Sequence, residues 1–277
     1  MNASAQWQLK GNSPRIYDQY IAPAVSAPWY PLFIKTGLSY MEGPIADIGC
    51  GTGSFFFHLL TQKKISNNVK LVGFDLNISM LAIAKEKISE TTNNISWVNA
   101  DVRKIPCADD YFRLLYCQQG IQYFKEKAEA LKEIYRIIQP NGLFIATVWS
   151  KIDECIGYKH LAEAVLQIVG SSAKISLFSP FSYPDPEVFE RLATSTGFKS
   201  VCVNVIDSFI HFSSIKDFVL YRIYGSPLID DLPKQNIENL LIDIISILEI
   251  SLKKYIKKNG LSFPVKVNYL TGKKIYE

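Results

Sequence analysis

The chain predicts an α/β fold on a mostly parallel sheet, and three features carry that prediction. First, the apolar strand Ile45-Ala46-Asp47-Ile48 runs straight into Gly49-Cys50-Gly51-Thr52-Gly53, after which Phe55-Phe56-Phe57 opens a helix. Glycines at alternate positions in a strand-to-helix turn allow positive φ and let a ligand lie directly against the main chain. Second, the stretch from Val69 to Asp75 repeats the theme of an apolar strand ending in an acid. Third, strands and helical segments alternate from there to Trp149, the order that right-handed crossovers onto a parallel sheet require. Acids at successive strand ends describe a nucleotide-type pocket at the carboxyl edge of such a sheet.

The elements follow in order. Residues 1–43 read as an N-terminal helical arm, with Tyr17, Tyr20, Trp29, Tyr30 and Phe33 at partly helical spacing. Residues 44–150 form the alternating core. Its third strand, 95–100, ends at Asp101, and its fourth, 113–117, ends at Gln118-Gln119-Gly120-Ile121-Gln122-Tyr123-Phe124. A helix over 125–138, closed by Pro140-Asn141-Gly142, leads to a fifth strand over 143–149. Residues 151–277 read as the second half of the same domain. They hold a helix over 156–169 and another over 186–196, the latter with Asp185 as N-cap and Gly197 at its stop. A long strand over 200–212, a helical insertion at about 214–262 and a last strand over 263–270 complete seven strands. The insertion's Phe218, Tyr221 and Tyr224 recur at helical spacing, which ordinary amphipathic packing explains and an aromatic-lined acceptor pocket also explains.

The glycine spacing narrows the ligand. A dinucleotide fingerprint reads G-x-G-x-x-G, but here the third position falls on Ser54, and no Lys-Ser or Lys-Thr pair follows to make a phosphate loop. Asp47 and Asp75 flank the turn with no nearby Arg or Lys to hold a pyrophosphate. A carboxylate at the end of the second strand can accept hydrogen bonds from both hydroxyls of a ribose. A ligand with a ribose, an ammonium and no phosphate fits these residues better than NAD does. The D-x-G-x-G-x-G loop from Asp47 to Gly53, with Asp75, Asp101-Val102 and Cys117-Gln118-Gln119-Gly120-Ile121-Gln122-Tyr123-Phe124 after it in order, resembles the class I S-adenosylmethionine-dependent methyltransferases. It is similar in particular to their type-11 subgroup, which includes the ubiquinone/menaquinone-biosynthesis enzymes. The resemblance covers 44–150 motif by motif and continues weakly to the C-terminus.

The resemblance implies a Rossmann-like, mostly parallel seven-stranded sheet, S-adenosyl-L-methionine as cofactor and S-adenosyl-L-homocysteine as product. It places Asp47, Gly49, Gly51 and Gly53 against the methionine portion, with Cys50 inside that loop, where packing also explains a small thiol. Asp75 takes the ribose diol, Leu76 and Met80 flank the adenine, Asp101 and Val102 meet its edge and face, and Gln118 lies beside the sulfonium. The arm is expected to close over the cofactor and bring Tyr17 or Tyr20 to the substrate, with Gln119 and Tyr123 beside it. His160, just beyond the fifth strand, is a candidate catalytic base, with Tyr20 as the other catalytic candidate; His58 and His211 read as structural. The implied reaction is methyl transfer to a small apolar or aromatic acceptor, a secondary metabolite or a quinone-like compound, with N-, O- and C-methylation all open. Two other classes share parts of the pattern: a catalytically silent binding or regulatory protein on the same fold, and a nicotinamide-dependent oxidoreductase.

Composition agrees with one enzyme domain. At 277 residues and 48% hydrophobic, the chain can bury a large single core. A net charge of +4 is weak for this length, and no basic stripe with interleaved aromatics appears, so a nucleic-acid partner is not expected. The five cysteines, at 50, 107, 117, 155 and 202, show neither metal-ligand nor disulfide spacing, so no metal is expected. The apolar run 240–252 is interrupted by Asp243 and Glu249 and is too short to span a bilayer. The N-terminus shows no apolar signal segment, and a cytoplasmic location is expected. The Asn-x-Ser triplets at Asn2, Asn77 and Asn94 then read as chance matches. The basic run 253–258 reads as the solvated C-terminal end of a helix. Oligomeric state is left open.

Overall fold

The computed structural model describes residues 8–66, 68–88, 94–183 and 185–275; Asn2 lies outside them. The strands are β1 Ile45–Ile48, β2 Leu71–Asp75, β3 Ile95–Asn99, β4 Phe112–Gln118, β5 Ile138–Trp149, β6 Lys199–Phe212, β7 Ile256–Lys257 and β8 Gly260–Lys273. They form one sheet in the order β3-β2-β1-β4-β5-β8-β6, with the two-residue β7 added as a hairpin on β8. β1 to β5 run parallel, and β8 inserts antiparallel between β5 and β6. The seven-stranded expectation therefore holds along the main path, and β7 is the addition. All four residues of β1 are buried, as befits an inner parallel strand covered on both faces. From β1 the chain moves outward to β2 and β3, then returns to the other side for β4. That reversal is the topological switch point, where open α/β sheets carry their ligand cleft.

The period of two along each strand feeds two apolar layers. Leu114, Tyr116, Leu143 and Ile145 face one layer, which also holds Phe55 and Phe56 of helix Ser54–Thr61 and Trp29 and Phe33 of the arm. Leu115, Cys117, Phe144 and Ala146 face the other, packed by helices Lys127–Ile137 and Pro186–Ser195. Helix Pro186–Ser195 starts where the sequence places it. Asp185 accepts from the backbone N–H groups of Glu187 and Val188, and Pro186 occupies the first turn without a lost bond.

The arm is Ser13–Ile16, a π-helical segment Tyr17–Ser26 containing Pro23, a short 3-10 turn Ala27–Trp29 and helix Tyr30–Gly37. It is fastened by specific polar contacts. Asp18 takes the Lys87 ammonium and a hydrogen bond from Ser54, and Gln118 Nε2 donates to the Ser26 carbonyl at 2.8 Å. At the far end, the insertion between β6 and β8 folds as helices Ile215–Tyr224, Leu228–Asp231 and Ile237–Ser251.

Two local expectations change. Pro140-Asn141-Gly142 lies inside the span of β5 rather than closing the preceding helix: the helix stops at Ile137, and Asn141 turns through φ +60° within an interrupted start to the strand. The basic run follows helix Ile237–Ser251 instead of ending it, passing through the turn Lys253–Tyr255 into β7. The helical stretch 156–181 is long and apolar enough, by length and composition alone, to cross a membrane. In the fold it is broken after Val169, and its first helix, Ile156–Val169, packs on helix Ile237–Ser251 and β8.

Candidate active site

At the switch point, a cleft of about 220 Å³ opens over the carboxyl ends of β1, β2 and β4. Of the residues singled out by sequence, Gly49, Gly51, Asp75, Leu76, Met80, Asp101, Val102, Gln118, Gln119, Tyr17 and Tyr123 all line it. They come from four strand ends and the arm, brought together by the parallel register of β1 with β2 and β4.

The glycine turn is built for close approach. Gly49, Gly51 and Gly53 have φ of +72°, +56° and +69°, the left-handed region in which side-chain-bearing residues are strained. Gly53 does not line the cleft. A Cβ there would sit 2.3 Å from Trp97 Cη2, so this glycine lets the turn pack onto β3 and starts helix Ser54–Thr61. Cys50 is likewise buried off the cleft. Its thiol pKa is pushed well up by burial, and then by Asp75 and Asp47, so it remains a packed thiol.

The Asp75 carboxylate joins the two loops. Oδ2 accepts from the Gly51 N–H at 2.8 Å and Oδ1 from the Asn77 N–H at 2.7 Å, which leaves each oxygen a further lone pair for a hydroxyl. Burial raises its pKa, and these backbone bonds work against that rise. Asp47 is 3% exposed and not part of the cleft wall, and its Oδ1 has no hydrogen-bond partner. Burial first, then the nearby Asp75 charge, push its pKa up to about 8. A buried carboxylate in that state is relieved by a cation brought close to it. A ligand ammonium at the glycine turn meets that need.

Asp101 is held differently. Arg103, two residues on, grips it side-on, with Nε 3.0 Å from Oδ1 and Nη2 2.5 Å from Oδ2. That contact lowers the pKa of Asp101, so the carboxylate stays ionised. Asn77 donates to the Leu9 carbonyl at 3.1 Å and so pins the start of the arm over this end of the cleft. The donor set therefore fits S-adenosylmethionine: an acid for the ribose, an acid at the adenine edge, an orphaned buried carboxylate for the ammonium, and a turn whose missing side chains leave room for the ligand.

Like Asp47, Cys50 and Gly53, the two catalytic candidates, His160 and Tyr20, are not on the cleft wall. His160 points away, with Nδ1 3.2 Å from Glu163 on the same helix. It stands two residues after the cleft-lining Tyr158, which is about 200° around the helix. Tyr20 is 42% exposed and stacks on Tyr221, ring centroids 4.0 Å apart. A π-helical turn holds more residues than an α turn, so Tyr17 and Tyr20 do not share a face and only Tyr17 turns inward. Among the described residues, no histidine lines the cleft.

The far wall was not foreseen in the sequence. Trp149 ends β5, Tyr158 lies on helix Ile156–Val169, Phe181 follows it, and Arg222 comes from the inserted helix Ile215–Tyr224. The three rings pack mutually at 5.5–6.1 Å, and the Arg222 guanidinium lies 4.9 Å from the Tyr158 ring centroid. Burial pushes the Tyr158 hydroxyl up to about 12, against a smaller opposing pull from Arg222.

Comparisons with known proteins agree with this geometry. A family model described as a methyltransferase domain matches residues 45–142. The ubiquinone/menaquinone biosynthesis C-methyltransferase UbiE of Rickettsia typhi is 25% identical over 215 residues, covering 71% of this chain and 86% of the relative. The demethylmenaquinone methyltransferase of Deinococcus radiodurans is 22% identical over 195 residues, 67% of this chain and 80% of its own length. Among solved structures, the YcgJ protein of Bacillus subtilis shares the fold with a TM-score of 0.59 at 14% identity, covering 89% of this chain and all 100% of that one. A phosphoethanolamine N-methyltransferase of Haemonchus contortus, solved with S-adenosylhomocysteine, does so with a TM-score of 0.52 at 17% identity, covering 96% of this chain and 61% of that one. Matching domain, relatives and cleft lead to one conclusion: this chain is an S-adenosylmethionine-dependent methyltransferase, similar to the UbiE-type C-methyltransferases.

Proposed function

We propose that the enzyme transfers the methyl group to a small planar aromatic acceptor bound in the half of the cleft walled by Trp149, Tyr158 and Phe181. The observation that carries this reading is that aromatic wall, which lines the same cleft as Asp75 and Asp101. Flat rings offer stacking area to a flat ligand. The names of the relatives, quinone-biosynthesis C-methyltransferases, support an aromatic or quinone-like acceptor.

S-adenosylmethionine supplies a methyl group already activated on its sulfonium. The chain's share is then binding, alignment and exclusion of water. Asp75 holds the ribose hydroxyls, Asp101 and Val102 the adenine, and Gly49 and Gly51 the methionine portion, with Asp47 compensating the ammonium charge from behind the turn. Leu76 and Met80 flank the adenine. Gln118 spends its side chain on the Ser26 carbonyl, so it clamps the arm in place at the end of β4. Gln119, whose buried amide has no partner, and Tyr123 orient the acceptor. The described part of the arm (8–43) and the helical insertion (214–262) together close the acceptor half over the 44–150 core. The chain's five cysteines are free thiols, which suits a reducing, cytoplasmic setting.

The test is methyl transfer from radiolabelled S-adenosylmethionine to a panel of hydroxyarenes and quinols against a matched panel of aliphatic amines. Label and a mass gain of one methylene in the aromatic panel are expected. Transfer confined to the amines contradicts the reading.

A further inference from the structure

One basic group in the acceptor half has no counter-charge. Arg222 lines the cleft, and no carboxylate among the described residues pairs with it. Its Nε is buried without a hydrogen-bond partner. Two more orphaned polar groups share the same cleft, the Tyr158 hydroxyl and the Gln119 amide. Among the described residues, the only acids on the cleft wall are Asp75 and Asp101. Asp75 is engaged by the glycine turn and Asp101 by Arg103. A guanidinium with its donor buried and unmatched carries a desolvation cost that an anionic oxygen removes.

Resting on the aromatic-acceptor reading, we propose that the acceptor carries an ionised oxygen, a carboxylate or a phenolate on the ring, and that Arg222 receives it, with Tyr158 and Gln119 completing the hydrogen bonds. Arg222 is thereby a specificity residue. The cofactor's own carboxylate is the competing occupant. The arrangement favours the acceptor, because Arg222 lies over Tyr158, which packs on Trp149 and Phe181, whereas the methionine portion belongs at the glycine turn after β1. An anionic acceptor also agrees with a cleft wall that has no histidine to remove a proton. When the nucleophilic atom is that oxygen, its lone pair forms the new bond to the methyl carbon and the broken S–C pair stays on sulfur. Anion and sulfonium cancel, and no proton moves.

The experiment is titration of the protein saturated with S-adenosylhomocysteine, using paired probes. 2-Naphthoate against 2-naphthamide tests the carboxylate, and 4-nitrophenol, ionised in alkaline buffer, against 4-nitroanisole tests the phenolate. At least tenfold tighter binding of the anion in one pair is expected, and the preferred pair names the group. Arg222→Gln is expected to abolish that preference, Arg222→Lys to restore part of it, and both to leave S-adenosylhomocysteine affinity within about twofold. Failure of both pairs to discriminate in the wild type, including binding of none of the four probes, overturns the proposal. So does a tenfold loss of S-adenosylhomocysteine affinity in a folded Arg222→Gln, which would assign the arginine to the cofactor. Failure of the wild type to bind S-adenosylhomocysteine at all overturns the site reading itself, and the proposal with it.

Discussion

Replacing Asp75 by Asn separates the two tasks assigned to this side chain. In the structure one carboxylate oxygen accepts from Gly51 N–H at 2.8 Å and the other from Asn77 N–H at 2.7 Å. A carboxamide keeps one oxygen and turns an NH2 toward the other N–H, so one charge-assisted bond is lost, at about 1.5–3 kcal/mol. The substitution also removes a buried charge that burial already disfavours and that raises the pKa of Asp47. That relief offsets part of the loss, so the net change in unliganded stability is expected to stay below about 2 kcal/mol, a shift of a few degrees in Tm. No such relief applies to the cofactor. The ribose diol loses a charged acceptor worth about 1.5–3 kcal/mol, which corresponds to a 10- to 150-fold rise in Kd. Scanning calorimetry establishes that the variant is folded, and equilibrium dialysis with labelled S-adenosylmethionine reads the affinity. A folded Asp75→Asn protein that binds S-adenosylmethionine as tightly as the wild type would refute the assignment of the ribose to Asp75.

Further outcomes follow from the same geometry. Asp47, with its pKa raised from 3.8 to about 8, keeps its proton in the folded chain while the unfolded chain loses it, so this group's contribution to stability falls as pH rises between those values and levels off above about 8. If the ammonium of S-adenosylmethionine needs that carboxylate ionised, cofactor affinity climbs by up to about tenfold per pH unit from pH 6 toward pH 8, with proton release on binding; an equal slope in Asp47→Asn would contradict it. Gly53→Ala should destabilise by about 2–5 kcal/mol, from a left-handed residue and a Cβ pressed onto Trp97, with Trp97→Leu restoring part; chemical denaturation measures this, and a neutral effect would remove the close-approach argument. His160→Gln should leave the rate of methyl transfer within about twofold, since the imidazole faces Glu163 rather than the cleft; a hundredfold loss in kcat would return it to the mechanism.

The parts of the fold legible in the sequence are those where one signal dominates. β1, β2 and β4 are mostly apolar runs because both faces are covered, and each ends at a residue that reaches the cleft or supports it. The Asp185 cap marks its helix start through a local hydrogen-bonding preference that needs no tertiary information. The cleft positions of Asp75 and Asp101 were legible for the same reason: both acids follow strand ends at fixed topological positions. The aromatic wall was not. Trp149, Tyr158, Phe181 and Arg222 come from four elements, and their meeting depends on how the insertion between β6 and β8 folds back over the sheet. Helical periodicity alone marks Tyr158 as a core residue and leaves open which way His160 points. Tyr20 was misplaced because the sequence does not announce a π-helical segment, although Pro23, which lacks a backbone donor, sits inside it. Arg103 was legible in principle, two residues past Asp101, but a partner so near in sequence reads as a surface turn.

The measurement that tests the account most directly is calorimetric titration of the wild-type protein with S-adenosylmethionine, S-adenosylhomocysteine and NADH. The account predicts micromolar, single-site binding of the first two and none of the third, with no phosphate-binding turn to hold a pyrophosphate. Binding of NADH with silence toward both sulfur compounds would contradict it.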